Sequence, residues 1–140
     1  MVAAGRRKKL KLGFKQEWVA NMKYTRLYAD ADGETHFEDI KADFQQTEFR
    51  PGVPLFGVTK SEAATDVFFV HTPAEYSDYY HPSPRRLLIV VMTGEDTITA
   101  SDGEIRRFGP KDVILIDDMG SKGHKSAAPN CEFMFVELIS

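Results

Sequence analysis

The feature that most limits what this chain can fold into is its rhythm. From Met22 onward, short segments rich in β-branched and aromatic residues recur, and each is cut off by a turn signal. KYTRLYA stops at DADGE, whose Gly33 suits a turn. DIKADFQ places Ile40, Ala42 and Phe44 on one face of a strand. FRPGVPLFG reads as a loop with two prolines. DVFFVH is rich in β-formers, and TPAEYSDYYHPSPRR is a long connection. LLIVVM, DTITA, EIRRF, DVILI and CEFMFVEL follow as further strands, with SDG as a tight hairpin turn between the second and third of them. Regularly spaced short strands of this kind predict an all-β antiparallel sandwich or barrel. No helix longer than two turns, internal repeat or low-complexity tract is visible.

A length of 140 residues fits one domain, and an apolar content of 42% is that of a globular chain. The single cysteine, Cys131, excludes an intramolecular disulfide and gives no cysteine cluster for zinc. The longest apolar run, LLIVVM, is far short of the roughly 20 residues a membrane helix needs. With no apolar leader near the N-terminus, the expectation is a cytoplasmic protein without membrane association. Charge divides the chain. Residues 1–21 carry six basic side chains against Glu17, a sum of +5, so a net charge of -3 leaves -8 on residues 22–140. The expected organisation is a basic N-terminal extension, 1–21, followed by a single domain, 22–140. Leu10, Leu12 and Phe14 alternate with polar residues as in a strand. Leu10, Phe14 and Trp18 also fit a helix, but Gly13 would cost it about 1 kcal/mol. An apolar edge of this kind predicts a homodimer in which residues near 9–19 pair with a sheet edge, of the same chain or of the partner. A basic arm can also touch nucleic acid, but no nucleic-acid motif accompanies it, so nucleic-acid binding is not expected.

Two stretches carry a family resemblance. GPKDVILIDDMGSKGH and TGEDTITASDGEIRRFGP, within residues 83–126, resemble the second motif and the intermotif hairpin of the cupins, small jelly-roll β-barrels that are often dimeric. The first cupin motif has two histidines one residue apart, a glutamate and a closing glycine. The second opens near PGD and ends on a third histidine. In this chain Lys111 stands where the second motif has glycine, and His124 is its histidine. Counting back from Gly94 puts the two first-motif histidines at His81 and Ser83 and the glutamate at Leu87. The resemblance implies a cupin-type antiparallel jelly-roll β-barrel in which His81 and His124 approach each other at the mouth. A first-row metal usually takes three or more protein ligands, and here two histidines remain, with hydrocarbon at the carboxylate position. The expectation is therefore no cofactor. The alternative is a weakly bound divalent metal on His81 and His124, completed by Asp117, Asp118 or His71.

The residues support several functions. Two histidines and a carboxylate suit proton transfer, so His81, His124 and Asp117 are the candidate catalytic groups. Arg85, Tyr79, Phe69, His71, Lys122 and Leu87 are candidates for contact with a small molecule held in the barrel. Several have a structural alternative: His71 as a hydrogen-bonded barrel residue, Asp117 and Asp118 as turn caps, Arg85 with Arg86 as an exposed pair or in a salt bridge to Asp117 and Asp118, and Lys122 as a solvated loop residue. The favoured function is an acid–base enzyme of isomerase, lyase (dehydratase) or cyclase type acting on a carbonyl-containing metabolite. The alternatives are a jelly roll that binds a ligand or partner without turnover and, third, a metal-dependent dioxygenase, for which the ligand set is incomplete.

Overall fold

Alternating burial organises the strands, and DTITA shows it most simply: Asp96, Ile98 and Ala100 are buried while Thr97 and Thr99 are half-buried. The structure, a computed structural model, describes residues 20–139. These hold eleven strands and no helix: β1 (Lys23–Ala29), β2 (Thr35–Lys41), β3 (Gln45–Thr47), β4 (Phe56–Val58), β5 (Ala64–His71), β6 (Leu87–Thr93), β7 (Asp96–Ala100), β8 (Ile105–Phe108), β9 (Val113–Asp117), β10 (His124–Ala127) and β11 (Glu132–Leu138). No helix among them is long and apolar enough to cross a membrane. The expectations for residues 1–19, an added strand and a dimer contact, lie outside the described residues.

The described residues fall into two compact units. The larger comprises residues 23–41 and 61–139. It holds a six-stranded sheet in the order β2-β1-β9-β6-β11-β5 and a three-stranded sheet in the order β10-β7-β8. Two features depart from the antiparallel barrel that the sequence suggests. β1 runs parallel to β9, from Thr25 opposite Ile114 to Tyr28 opposite Asp117, whereas the other pairings are antiparallel. Parallel neighbours need a long connection, and most of the chain lies between these two. In addition, no pairing among the described residues closes a sheet on itself. The two sheets instead share one apolar core. Leu27, Val91, Ile114 and Ile116 of the larger sheet and Ile98 and Ala100 of the smaller one are almost fully buried in it. Burying each large aliphatic side chain contributes about 1.5–3 kcal/mol.

The edges of the larger sheet differ. β2 carries His36, Glu38, Asp39 and Lys41, charges of the kind that discourage a further strand from adding. β5 leaves Val67 and Phe69 60% and 73% exposed. β2 stops at Lys41, opposite the first residue of β1. Ala42 and Phe44 therefore lie beyond it, and the face that DIKADFQ suggested does not form. At the β6–β7 turn, Gly94 packs on Cys131, where a Cβ would lie 2.5 Å from the sulfur. Cys131 has no exposed surface, and its N–H donates to Thr72 Oγ1 at 2.8 Å.

The smaller unit comprises residues 20–22 and 42–60. β3 and β4 pair antiparallel in it, from Gln45 opposite Val58 to Thr47 opposite Phe56, and Phe49 stacks on Phe56 with centroids 5.2 Å apart. The proline-containing stretch read from the sequence as a loop, residues 49–57, joins these two strands only in part, since Phe56 and Gly57 at its end belong to β4 and pair with Thr47 and Gln46.

Candidate functional site

Inward-facing positions of both sheets of the larger unit enclose a cavity of about 430 Å³. β5 contributes Val70, β6 Leu87 and Ile89, β7 Asp96 and Ile98, β9 Ile116, β10 His124 and Ser126, and β11 Phe133 and Phe135. The connection between β5 and β6 adds Tyr76, Asp78, His81 and Ser83. The walls are mainly hydrocarbon, and one end is polar.

Backbone pairing builds that end. His81 and His124 form an isolated antiparallel bridge, each N–H donating to the other's carbonyl at 3.0 and 3.1 Å. Their imidazole rings lie 5.4 Å apart, centroid to centroid. The bridge needs glycine at position 123, where φ is +82° and a Cβ would lie 2.1 Å from the carbonyl carbon of His81. Gly123 thus lets the two backbones meet as closely as they do.

The two histidines have different partners. His124 is buried, and its Nδ1 donates to Asp118 Oδ2 at 2.7 Å, since a carboxylate can only accept. Asp118 is fully buried, and its Oδ1 accepts from the Ser83 N–H at 3.0 Å. This bond fixes a proton on Nδ1. Among the described residues Nε2 has no partner. His81 is half-exposed, and both of its nitrogens face acceptors: Nε2 to Asp78 Oδ2 at 3.0 Å and Nδ1 to the Pro82 carbonyl at 3.2 Å. The Asp78 hydrogen bond holds the His81 pKa above the ordinary histidine value against partial burial, and the Pro82 carbonyl adds to the rise. An imidazole whose two nitrogens both meet acceptors is best satisfied as imidazolium.

Asp78 joins three donors. Tyr76 Oη donates to Oδ2 at 2.6 Å, His81 shares that oxygen, and the Ser126 N–H donates to Oδ1 at 2.6 Å. Burial pushes this carboxyl up, but the bonds from Tyr76, Ser126 and His81 outweigh it and leave the pKa below the usual value. Burial and the neighbouring Asp78 push the Tyr76 phenol up to about 12. Asp96 is only 5% exposed and accepts a bond from Ser126 Oγ at Oδ1. Burial raises its pKa to about 6, offset only in part by Ser126 and the nearby His124, and Asp78 adds to the rise.

The donors present do not fit a divalent metal. Both His81 nitrogens and both Asp78 oxygens are already engaged, Ser83 Oγ donates to the Arg85 carbonyl, and Leu87 is hydrocarbon. Among the described residues no group of three or more histidine, cysteine or acidic side chains is arranged to hold an ion.

Of the residues singled out in the sequence, His81, His124, His71 and Leu87 line the cavity. His71 does so at the rim, with Nε2 3.0 Å from Asn130 Oδ1. The others stand elsewhere. Asp117 faces away, because Ile116 before it and Asp118 after it occupy the inward positions. It bonds the Arg26 guanidinium at 2.9 Å and lies 3.6 Å from Arg86. Arg85 is an exposed partner of Glu137, and Lys122 an exposed partner of Glu34. Phe69 projects from the opposite face of β5 to Val70. Tyr79 is 78% exposed and sets its ring edge-on to His81 without lining the cavity. Sequence reasoning passed over Asp78 and Asp96. The alternation of DTITA is the signal that places Asp96 with Ile98 and Ala100. Asp78, in YSDYY, has no periodic neighbour to mark it.

The fold and the cavity together define a class: an all-β, two-sheet protein around an apolar pocket with a hydrogen-bonded, titratable end. No family model and no curated protein matches the chain. Among solved structures it is similar to the cupin domain of Schizosaccharomyces pombe Cnp3, at 13% identity and a TM-score of 0.42, with 90% of this chain and 88% of that one covered.

Proposed function

We propose that the cavity holds a small, largely apolar carbonyl compound and moves a proton on it, the chemistry of an isomerase, a dehydratase or a cyclase. The observation that carries this reading is the buried Asp118–His124 pair, whose geometry leaves Nε2 of His124 without a partner among the described residues beside the apolar wall. A positioned base of this kind contributes about 10²- to 10⁴-fold to a rate. In the proposed step His124 removes a proton from the carbon next to the carbonyl. Negative charge grows on the carbonyl oxygen, and the His81 imidazolium, one ring away and held by Asp78, stabilises it. Returning the proton to a different atom completes an isomerisation, and delivering it to a neighbouring hydroxyl, which leaves as water as the C–O bond breaks, completes a dehydration.

The experiment needs no knowledge of the natural substrate. Benzylacetone, a small neutral ketone with an apolar body, is incubated with the protein in D₂O, and exchange of its α-protons is followed by NMR. Exchange above the buffer rate that disappears in His124→Gln supports the reading. Exchange equal to buffer in the wild type overturns it. The closed network around Asp78 favours one other reading, a rigid pocket that binds without turnover. Binding of the ketone without exchange is its signature.

A further inference from the structure

Three carboxylates gather at the polar end of the cavity, and one of them is short of hydrogen-bond donors. Asp118 is bonded to His124 and Asp78 to His81. Asp96 is left, buried on the inner face of β7 beside Ser126, and its Oδ2 has no partner among the described residues. No lysine or arginine is among the described residues that line the cavity. A buried carboxylate without a counter-ion is costly unless something supplies the missing charge. We propose that Asp96 anchors the ammonium group of a ligand, so that the cavity takes a hydrophobic amine. Its body lies along Ile89, Ile98, Phe133 and Phe135, and its protonated nitrogen meets Asp96.

This assignment relies on the proposed function only in taking the cavity as the ligand site, and it holds whether or not turnover occurs there. Combined with proton transfer at His124, it makes the substrate class an apolar amine that also bears a carbonyl group. It also disfavours ligands that arrive as anions, because a carboxylate or phosphate would meet Asp78 and Asp96 in the lining, and the His81 ring there is already paired with Asp78.

The groups that face Asp96 set the pH behaviour. They are His124 on β10, Asp78 and Tyr76 from the β5–β6 connection, and Cys131 ahead of β11. β8 places only Phe108 opposite it. With its pKa at about 6, Asp96 is mostly ionised at neutral pH and becomes neutral in mild acid.

The test is calorimetric titration of the full chain with phenylbutylamine, phenylbutanol and phenylbutyrate, which share one apolar body and differ in the charge of the head. The amine should bind about tenfold or more tightly than the alcohol, an advantage typical of a charge-assisted bond in a buried site. The carboxylate should bind most weakly. Asp96→Asn should bring the amine down to the affinity of the alcohol, while the melting temperature at neutral pH stays the same or rises. Lowering the pH below about 6 should shrink the advantage of the amine in the wild type. Equal binding of carboxylate and amine, an amine preference that survives Asp96→Asn, or no binding of any of the three overturns the assignment. The two readings fail separately: amine preference without ketone exchange removes only the acid–base function, and ketone exchange without amine preference removes only the ammonium site.

Discussion

His81 and His124 are paired through their backbones, and their rings face the same cavity, yet their surroundings make them different reagents. The His124 side chain is 9% exposed and meets a carboxylate with no exposure at all. The His81 side chain is 40% exposed and meets acceptors at both nitrogens. One bonds a buried carboxylate through Nδ1 and leaves Nε2 without a partner among the described residues, the other is held as a cation between two acceptors. The residue type supplies the ring, and the number and placement of acceptors around it decide what the ring can offer a ligand.

The contrast is broken most severely at its hinge. Gly123→Ala forces a methyl group against the His81 carbonyl and strains a φ of +82°, so we expect a loss of about 3 kcal/mol or more in urea unfolding. A change under about 1 kcal/mol would show that the bridge yields easily. Next in size is Asp118→Asn, which removes the carboxylate that fixes the His124 tautomer. Ketone exchange should fall by about 10²- to 10⁴-fold, and stability by about 1–3 kcal/mol as one of the two buried donors, the Ser83 N–H or the His124 Nδ1–H, meets the amide NH₂ instead of an acceptor. Asp117→Asn, one residue earlier but facing away, should leave exchange within about twofold, and a loss as large as that of Asp118→Asn would reverse the assignment of the two carboxylates.

That pair of aspartates shows how far the sequence could be read. The strands were legible because β-branched residues and turn signals alternate through LLIVVM, DTITA and DVILI. The parity at the end of β9 was not, since choosing between Asp117 and Asp118 depends on whether alternation continues past Ile116. β10 escaped notice because HKSA has no apolar alternation. Its strand conformation comes from pairing with β7, His124 opposite Ala100. The parallel β1–β9 contact was hidden because a strand's composition does not state its direction. His81 and His124 were readable as a facing pair from the motif spacing, but the carboxylates that differentiate them, Asp78 and Asp118, come from a loop and a strand end.

Smaller effects sharpen the comparison. His81→Gln should cost less than about 1 kcal/mol, because its ion pair with Asp78 is partly solvated. Combined with His124→Gln it should reduce ketone exchange little further than His124→Gln alone, since groups acting on one proton transfer are not additive. Full additivity would mean that the rings work independently. The pH dependence has a definite sign. The folded pKa of His81 is raised above 6.5, so its contribution is fully present below that value and is lost as pH rises through the higher folded value. Solvent screening keeps the difference to a few tenths of a kcal/mol, about. Wild type minus His81→Gln in thermal melts between mild acid and mild alkali should show it, and a difference that grows with pH would refute the imidazolium. The smallest effect expected is from chelation: EDTA should leave melting and ketone exchange unchanged. A melting shift restored by one particular divalent ion would make the two rings ligands after all.

The packing of Gly94 on Cys131 gives the chain a built-in clock. Cys131 is its single cysteine, has no exposed surface, and has a thiol whose pKa burial pushes up. A small alkylating reagent reaches the sulfur when this packing opens, as when the β6–β7 turn lifts from the start of β11. The labelling rate under native conditions, followed by mass spectrometry, therefore counts those openings one molecule at a time. Because Asp96 lies just past the same turn, a ligand that ties it down should slow the count, and occupancy of the cavity becomes visible without any dye, engineered label or knowledge of the reaction.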